Sequence, residues 1–213
     1  SIVSSQFSSA DLVLPKTVTI GSAAEEDTKL VFDGNAQDFH IGLDDSEDKL
    51  TIGLGSTLGT TAHMTFDSTG AILKPLQPAF QVSVNSIDTN FAINTFHTAT
   101  FGTEVFDQNG DFSSNTFTAP VTGKYQLNLI GWFEDVASSA EYLQVEITTS
   151  NTRYYGITDP TGYDATVTYL TLPVCVLADM DANDTAIVRY YQRDGDVQTD
   201  LGTGTTFSGY LVA

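Results

Sequence analysis

From Thr17 onward, apolar and polar residues alternate in short runs, TVTIG, TKLVFDG, DFHIGL, DKLTIGLG and HMTFDSTGAIL, each bounded by Gly, Asp or Asn. A period of two is the repeat of a strand, whose successive side chains point to opposite faces. Turn residues at intervals of roughly 8–12 residues predict an all-β arrangement. Hairpin turns are expected at Asp33-Gly34-Asn35 and at Asp67-Ser68-Thr69-Gly70. IGL follows a strand entry twice, in DFHIGLDDSED and DKLTIGLGSTLG, and two copies are too few for a solenoid. After Ala79 the runs lengthen and predict strands over 79–84, 96–101, 104–106, 115–118, 124–133, 142–149, 165–177, 184–192 and 205–212.

Several of these strands carry bulk on both faces. Tyr125, Leu127, Leu129, Gly131 and Phe133 share one side, while Ile130 and Trp132 stand on the other with Gln126 and Asn128. Phe207, Gly209 and Leu211 likewise oppose Tyr210 and Val212. A strand wet on one side would not do this, so Ile130, Trp132 and Tyr210 are expected to meet a neighbouring subunit.

The chain divides by composition. Residues 1–10 are small and polar, with Ile2 and Phe7 as the sizeable side chains, and read as a linker or arm; serine at position 1 reads as a fragment or a processed product. Residues 11–74 form a β-rich shaft or collar. Residues 75–78, with two prolines, form a stiff extended linker that cannot sit inside a paired central strand. Residues 79–213 form a head. The collar is too poor in apolar residues to offset its own ordering entropy as a monomer. Three intertwined copies packed about an axis would supply the missing core and keep the acidic faces in water.

The stretch Phe106–Tyr125, FDQNGDFSSNTFTAPVTGKY, together with the closing FSGYLVA, resembles the globular head of complement component 1q, a jelly roll of the tumour necrosis factor type. The resemblance lies on Phe106, Asp107, Phe117, Pro120, Gly123 and Tyr125, then Phe207, Ser208, Gly209, Tyr210 and Leu211, with Ala79 and Phe80 opening the first strand. It implies a C-terminal jelly-roll sandwich, assembly as a homotrimer, and recognition rather than catalysis. The segment Glu26–Ser56 resembles a module of tail-fibre and other structural proteins of tailed bacteriophages, which implies a place on a virion and contact with other virion proteins through the N-terminal part.

Charge narrows the partners. The chain carries 27 acids against 8 bases, a formal net charge of −19. It splits as 11 acids and 4 bases before Ala79 (net −7) and 16 acids and 4 bases after it (net −12). Such a surface repels phosphate backbones and anionic membranes, so neither nucleic acid nor membrane is an expected partner. No apolar run is long enough to cross a bilayer as a helix. The lone Cys175, set in LPVCVL, reads as a small buried hydrophobe on a strand entering a core.

Candidate chemistry is sparse. Asp107-Gln-Asn109-Gly-Asp111 begins like a calcium loop but has Phe112 where a sharp-turn Gly is required and Thr118 where a bidentate Glu is required. Asp179-Met-Asp181-Ala-Asn183 fails at the same places. Both read as turns whose side chains cap their own backbone. His40, His63 and His97 lie far apart and read as strand residues with local hydrogen bonds. No nucleophile, zinc or phosphate motif occurs, so an enzyme is not expected and no catalytic or metal-ligating residue or cofactor is assigned. Jelly rolls of this type include some with calcium near the trimer axis, and no motif here specifies one.

Function is therefore placed in exposed loops. By resemblance the apex of the head comprises 86–95 and 193–204, with 158–164 nearby. Tyr163, Arg193, Asp194, Asp196 and Asp200 are the candidate receptor contacts: carboxylates for hydroxyl or ammonium donors and a ring for a sugar face. The 193–204 loop is expected to be a solvated one that tolerates replacement. The leading expectation is a homotrimeric phage fibre or appendage protein on the particle surface, recognising a host glycan or protein. The alternatives are a structural or decorating trimer without a receptor and, against the chain's size, a polysaccharide depolymerase.

Overall fold

The computed structural model describes residues 16–213, so the arm assigned to residues 1–10 lies outside them. The chain divides into two compact units between Pro75 and Leu76.

The described residues of the first unit form an antiparallel meander of five strands in sequence order: β1 (Thr28–Phe32), β2 (Phe39–Asp44), β3 (Lys49–Leu54), β4 (Ala62–Phe66) and β5 (Ile72–Leu73). Its turns use the residues that predicted them. Asp67 accepts from the Thr69 and Ala71 backbone N–H groups, each at 2.9 Å, and Gly70 takes φ +92°. The two IGL segments are neighbouring strands, with Ile41 opposite Ile52. Their glycines share a crowded face. A Cβ on Gly42 would lie 2.6 Å from the Thr28 carbonyl oxygen and 3.0 Å from Leu58, and one on Gly53 would lie 2.5 Å from the Thr61 carbonyl oxygen and 2.8 Å from the His40 ring. This room lets Leu58, from the β3–β4 connection, pack over that face.

The second unit contains twelve strands: β6 (Ala79–Ser83), β7 (His97–Thr98), β8 (Thr103–Asp107), β9 (Phe112–Ser113), β10 (Thr116–Thr118), β11 (Gly123–Val136), β12 (Tyr142–Thr149), β13 (Arg153–Thr158), β14 (Val167–Met180), β15 (Thr185–Arg193), β16 (Asp200–Leu201) and β17 (Thr206–Leu211). One sheet runs β14-β11-β17-β6-β8 with β16 beside β11; the other runs β13-β12-β15-β10-β9 with β7 beside β15. The long strands β11, β12, β14 and β15 thus alternate between sheets, with the β12–β13 hairpin inside one of them, and the result is a jelly-roll sandwich, as the resemblance implies.

The alternation of β11 places Tyr125, Leu127, Leu129 and Phe133 in the core, where each is fully buried, as are Leu143, Val145 and Ile147 from β12 and Phe207 from β17. Phe80 anchors the base of the core: its ring stacks on Phe117 at 4.6 Å between centroids and meets Phe207 edge-on at 5.1 Å. Of the resemblance residues, Phe80, Phe117, Tyr125 and Phe207 lie in the core and Asp107, Pro120 and Gly123 shape the connections around it, while Phe106 and Tyr210 stand on the outward face of their sheet. Pro120 and Gly123 bracket the entry to β11, and the Tyr125 hydroxyl donates to the Val121 carbonyl at 2.7 Å.

Four sequence expectations change. Strand β13 lacks a counterpart among the predicted runs because it is an edge strand whose Tyr155 and Ile157 face outward, leaving no apolar run to read. The strand expected over 96–101 shrinks to two residues because Phe96 turns out to pack on Tyr191. Cys175 is exposed, not buried: core-facing Val174 precedes it, so the pleat turns Cys175 outward beside Asn128. The 193–204 loop is built in, not merely solvated, since Thr199 and Leu201 are buried.

Candidate functional site

Strand register assigns the two ends of the sandwich. The chain enters at Ala79 opposite Tyr210 and leaves after Leu211 opposite Tyr125, so both chain ends of the head lie at one end. At the other end β11 finishes with Val136 opposite Val167, and β12 begins with Tyr142 opposite Arg193. The connections 86–95, 137–141, 159–166 and 194–205 gather there.

Three of them are tied together by the acidic candidates. The Asn94 side-chain amide nitrogen donates to Asp194 at 2.8 Å, and the Asp194 backbone N–H donates in return to the Asn94 side-chain oxygen Oδ1 at 3.1 Å. The Ser139 hydroxyl donates to Asp196 at 2.8 Å, and the Asn90 backbone N–H donates to Asp200 at 2.6 Å. Gly195, at φ +77°, is required where this loop crosses 137–141, because a Cβ there would stand 2.5 Å from the Ala140 nitrogen. Asn90, Asn94 and Asp194 also adopt positive φ, which short polar side chains tolerate best. Beneath them the Thr199 hydroxyl accepts from the Ala137 N–H at 3.1 Å and donates to buried Gln192. Arg193 pairs with Glu141 at 3.4 Å and with Asp194 at 3.5 Å, and these acids hold its guanidinium above its usual value, after a hydrogen bond to Tyr191 as the largest cause. Tyr163 projects from a different connection, behind a short 3-10 turn at Pro160–Gly162 capped by Asp159, and is 47% exposed. The apex is thus a braced platform with Tyr163 and Val197 outward. Asn90, Asn94, Ser139 and Gln192 were not singled out in the sequence, and only the Asn and Asp-Gly turn chemistry hinted at them.

The subunit-contact candidates share the outward face of the β14-β11-β17-β6-β8 sheet. Ile130 and Tyr210 are 46% and 49% exposed, with Tyr169, Leu177 and Phe106 on the same side. Trp132 is half-buried: its indole N–H donates to Glu134 at 3.0 Å and its ring lies 5.4 Å from that of Tyr169. Gly202 and Gly204 pass so close that a Cβ on either would strike the indole.

The opposite sheet carries an ion cluster that the sequence did not reveal. Glu146, at 0% side-chain exposure, accepts from Arg153 and from Arg189 (Nε at 2.7 Å), from Gln144 at 2.7 Å and from Thr148 at 2.8 Å. Both guanidinium groups lie over the Phe96 ring, at 5.1 Å and 4.6 Å. Burial pushes the Glu146 carboxyl up, but the hydrogen bonds from Arg153, Thr148 and Arg189 outweigh it and hold the group below its ordinary value. In the alternating run LQVEITT, Glu146 reads as a solvent-facing residue.

The loop at Asp107 closes on itself. The Asp107 carboxylate accepts from the Asp111 and Phe112 N–H groups at 3.0 and 2.8 Å, while one Asp111 oxygen is buried without a hydrogen-bond partner. In the second acidic turn Asp184 accepts from the Asp181 N–H at 2.9 Å. Among the described residues no three His, Cys, Asp or Glu side chains converge as metal ligands. The histidines are scattered: buried His40 bonds the Gly55 carbonyl at 2.9 Å, His97 bonds that of Ala92 at 2.8 Å, and exposed His63 lies edge-on to Phe39.

No family model matches the chain, and no curated protein matches it. Among solved structures, the globular domain of zebrafish complement 1qA protein is similar at 18% identity and a TM-score of 0.46, covering 64% of this chain and 98% of its own. Murine APRIL at pH 8.0 is similar at 13% identity and 0.46, covering 64% and 99%, and at pH 5.0 at 10% and 0.45, with the same coverage. The fold assignment rests on the strand order and register above.

Proposed function

We propose that this chain is a homotrimeric appendage protein of a tailed bacteriophage particle whose head contacts the host surface through its apex. Self-association is carried by one observation: the outward face of the β14-β11-β17-β6-β8 sheet exposes Ile130, Tyr169, Leu177 and Tyr210 around a polar centre of Gln126, Asn128 and Ser208. Aromatic and aliphatic anchors with uncharged polar groups are the composition of an interface core, from which charge is depleted. The phage assignment draws on the resemblance of Glu26–Ser56. Host contact draws on the braced apex, since a platform ordered before binding loses little entropy on binding, and three copies gain avidity.

Light scattering should return about three times the 22.9 kDa chain mass, and Ile130→Asp with Tyr210→Asp should return the single-chain mass. Cys175, on the same face, should react with a maleimide slowly in the wild type and quickly in that variant. A monodisperse wild-type monomer refutes the trimer. Tyr163→Ala should lose attachment to cells the parent particle infects while keeping the trimer mass; undiminished attachment refutes the apical site.

The decorating trimer keeps standing as a second reading for a specific reason: Asp194, Asp196 and Asp200 each hold a neighbouring segment instead of reaching outward. A wild-type trimer that binds neither cells nor a glycan array would favour it.

A further inference from the structure

The five-stranded sheet of the first unit has its burial inverted. The face under Leu58 is polar and closed: His40, Asp44, Thr51 and Thr65 are buried there beside Gly42 and Gly53. The opposite face is apolar and open. Register aligns Leu30 and Phe32 of β1 with Ile41 and Phe39 of β2, then Ile52 and Leu54 of β3, Met64 and Phe66 of β4, and Ile72 of β5, with Leu43 and Leu50 completing the rows. These rows hold no charged residue, in a unit with acids in almost every turn. Phe32 is 57% and Ile72 59% exposed, and Leu30, Phe39, Ile41, Leu43 and Leu50 are also exposed.

The size of this face calls for a cover. At about 100 Å² for each half-exposed Leu, Ile or Phe, the seven exposed members offer on the order of 700 Å², above the ~300–600 Å² patch of an ordinary monomer and near the ~800 Å² each partner brings to a standard interface.

We propose that this face packs against the same face of two further copies, so that three sheets form the walls of an apolar prism about a three-fold axis. The inference rests on the trimer reading above and adds a second, separate contact to it. Geometry favours three walls. Five strands at ~4.8 Å spacing make a wall ~24 Å wide, which sets the axis of a three-sided prism about 7 Å from each wall, close to the ~5 Å that each sheet contributes when two pack face to face. Leu, Ile and Phe side chains fill that depth. The central strand β3 then stands nearest the axis and puts Ile52 at its middle. A further copy is the natural occupant because Pro75 and Leu76 are consecutive residues: an assembled head holds three such sheets at an effective concentration on the order of millimolar.

The test uses the full chain carrying Cys175→Ser and one new thiol. With Ile52→Cys, a bis-maleimide spanning roughly 10 Å, needed because thiols on three walls about 7 Å from the axis stand too far apart for a direct disulfide, should convert up to about two thirds of the chains to a covalent dimer, since one pair of the three can be joined. With Lys29→Cys, on the opposite face of an edge strand, the chains should stay monomeric on a non-reducing gel. A trimer by light scattering that gives no Ile52→Cys link overturns this inference and leaves the head contact standing. A monomer with no link overturns both. In the background of Ile130→Asp and Tyr210→Asp, persistence of the link would show that the sheets associate without the head contact, supporting the inference. An Ile52→Cys thiol that is unlinked, resists maleimide, and becomes reactive when residues 1–15 are deleted would show that segment to be the cover, and the inference would fall.

Discussion

Arg189→Met tests the buried ion cluster most sharply. Glu146 has no side-chain exposure, and two guanidinium groups, one amide and one hydroxyl satisfy it. Removing one partner of a buried pair costs ~3–5 kcal/mol because a charge is left inside without compensation; Arg153 remains, so the low end, about 3 kcal/mol, is expected. The cation–π contact of Arg189 with Phe96 is worth only ~0.5–1 kcal/mol, and Met keeps an apolar stem in place, so the carboxylate dominates. For a unit of this size the melting temperature should fall by roughly 6–12 °C, at ~2–4 °C per kcal/mol. The pH dependence identifies the cause. In the wild type the folded Glu146 pKa is depressed, so its stabilising contribution is present above the ordinary carboxylate value and is lost as pH falls through the lower folded value. In the variant burial weighs more heavily, the folded pKa rises, and the penalty grows as pH rises through it. Chemical denaturation should therefore show the widest gap near pH 7 and a narrower one at about pH 4. Adding Glu146→Leu to Arg189→Met should recover most of the loss, since an apolar replacement of a buried ion group is often neutral. A gap under ~1 kcal/mol, within the range of exposed ion pairs, or one that does not change with pH, would refute this account.

Two further outcomes follow from local geometry. Gly209→Ala would place a Cβ 2.7 Å from Leu127 and 2.8 Å from Phe80, so denaturant titration should show a loss of ~1–3 kcal/mol from overpacking; an unchanged midpoint would mean the core there has slack. Asp111 has its pKa raised, by burial first and by Asp107 second, so it opposes stability as pH rises through its folded value; Asp111→Asn should raise the melting temperature slightly at pH 7 and lose that advantage below about pH 4, and a fall at pH 7 would show that the carboxylate has a partner.

Much of the fold was legible in the chain because period-two alternation and turn chemistry are local. Tyr125, Leu127, Leu129 and Phe133 lie inward and Ile130 and Trp132 outward, as their parity dictates, and Asp67 and Gly70 build the turn they announced. Parity by itself cannot say which phase a strand takes against the opposing sheet, and so Cys175 turned outward while the neighbouring Val174 took the core position. Nor can it say what lies above an outward face: Glu146 is buried only because Arg153 and Arg189 arrive from other strands and fold over it. The apex shows the same division. That Asp194, Asp196 and Asp200 fall in a Gly-rich loop is written in the sequence, but their bonds to Asn94, Ser139 and Asn90 join residues 57 to 110 positions apart and exist only once both sheets are assembled. Local pattern determined which residues pair within a strand or turn, and long-range packing decided which polar groups became structure, since a charge or carbonyl finds its partner only where the fold delivers one.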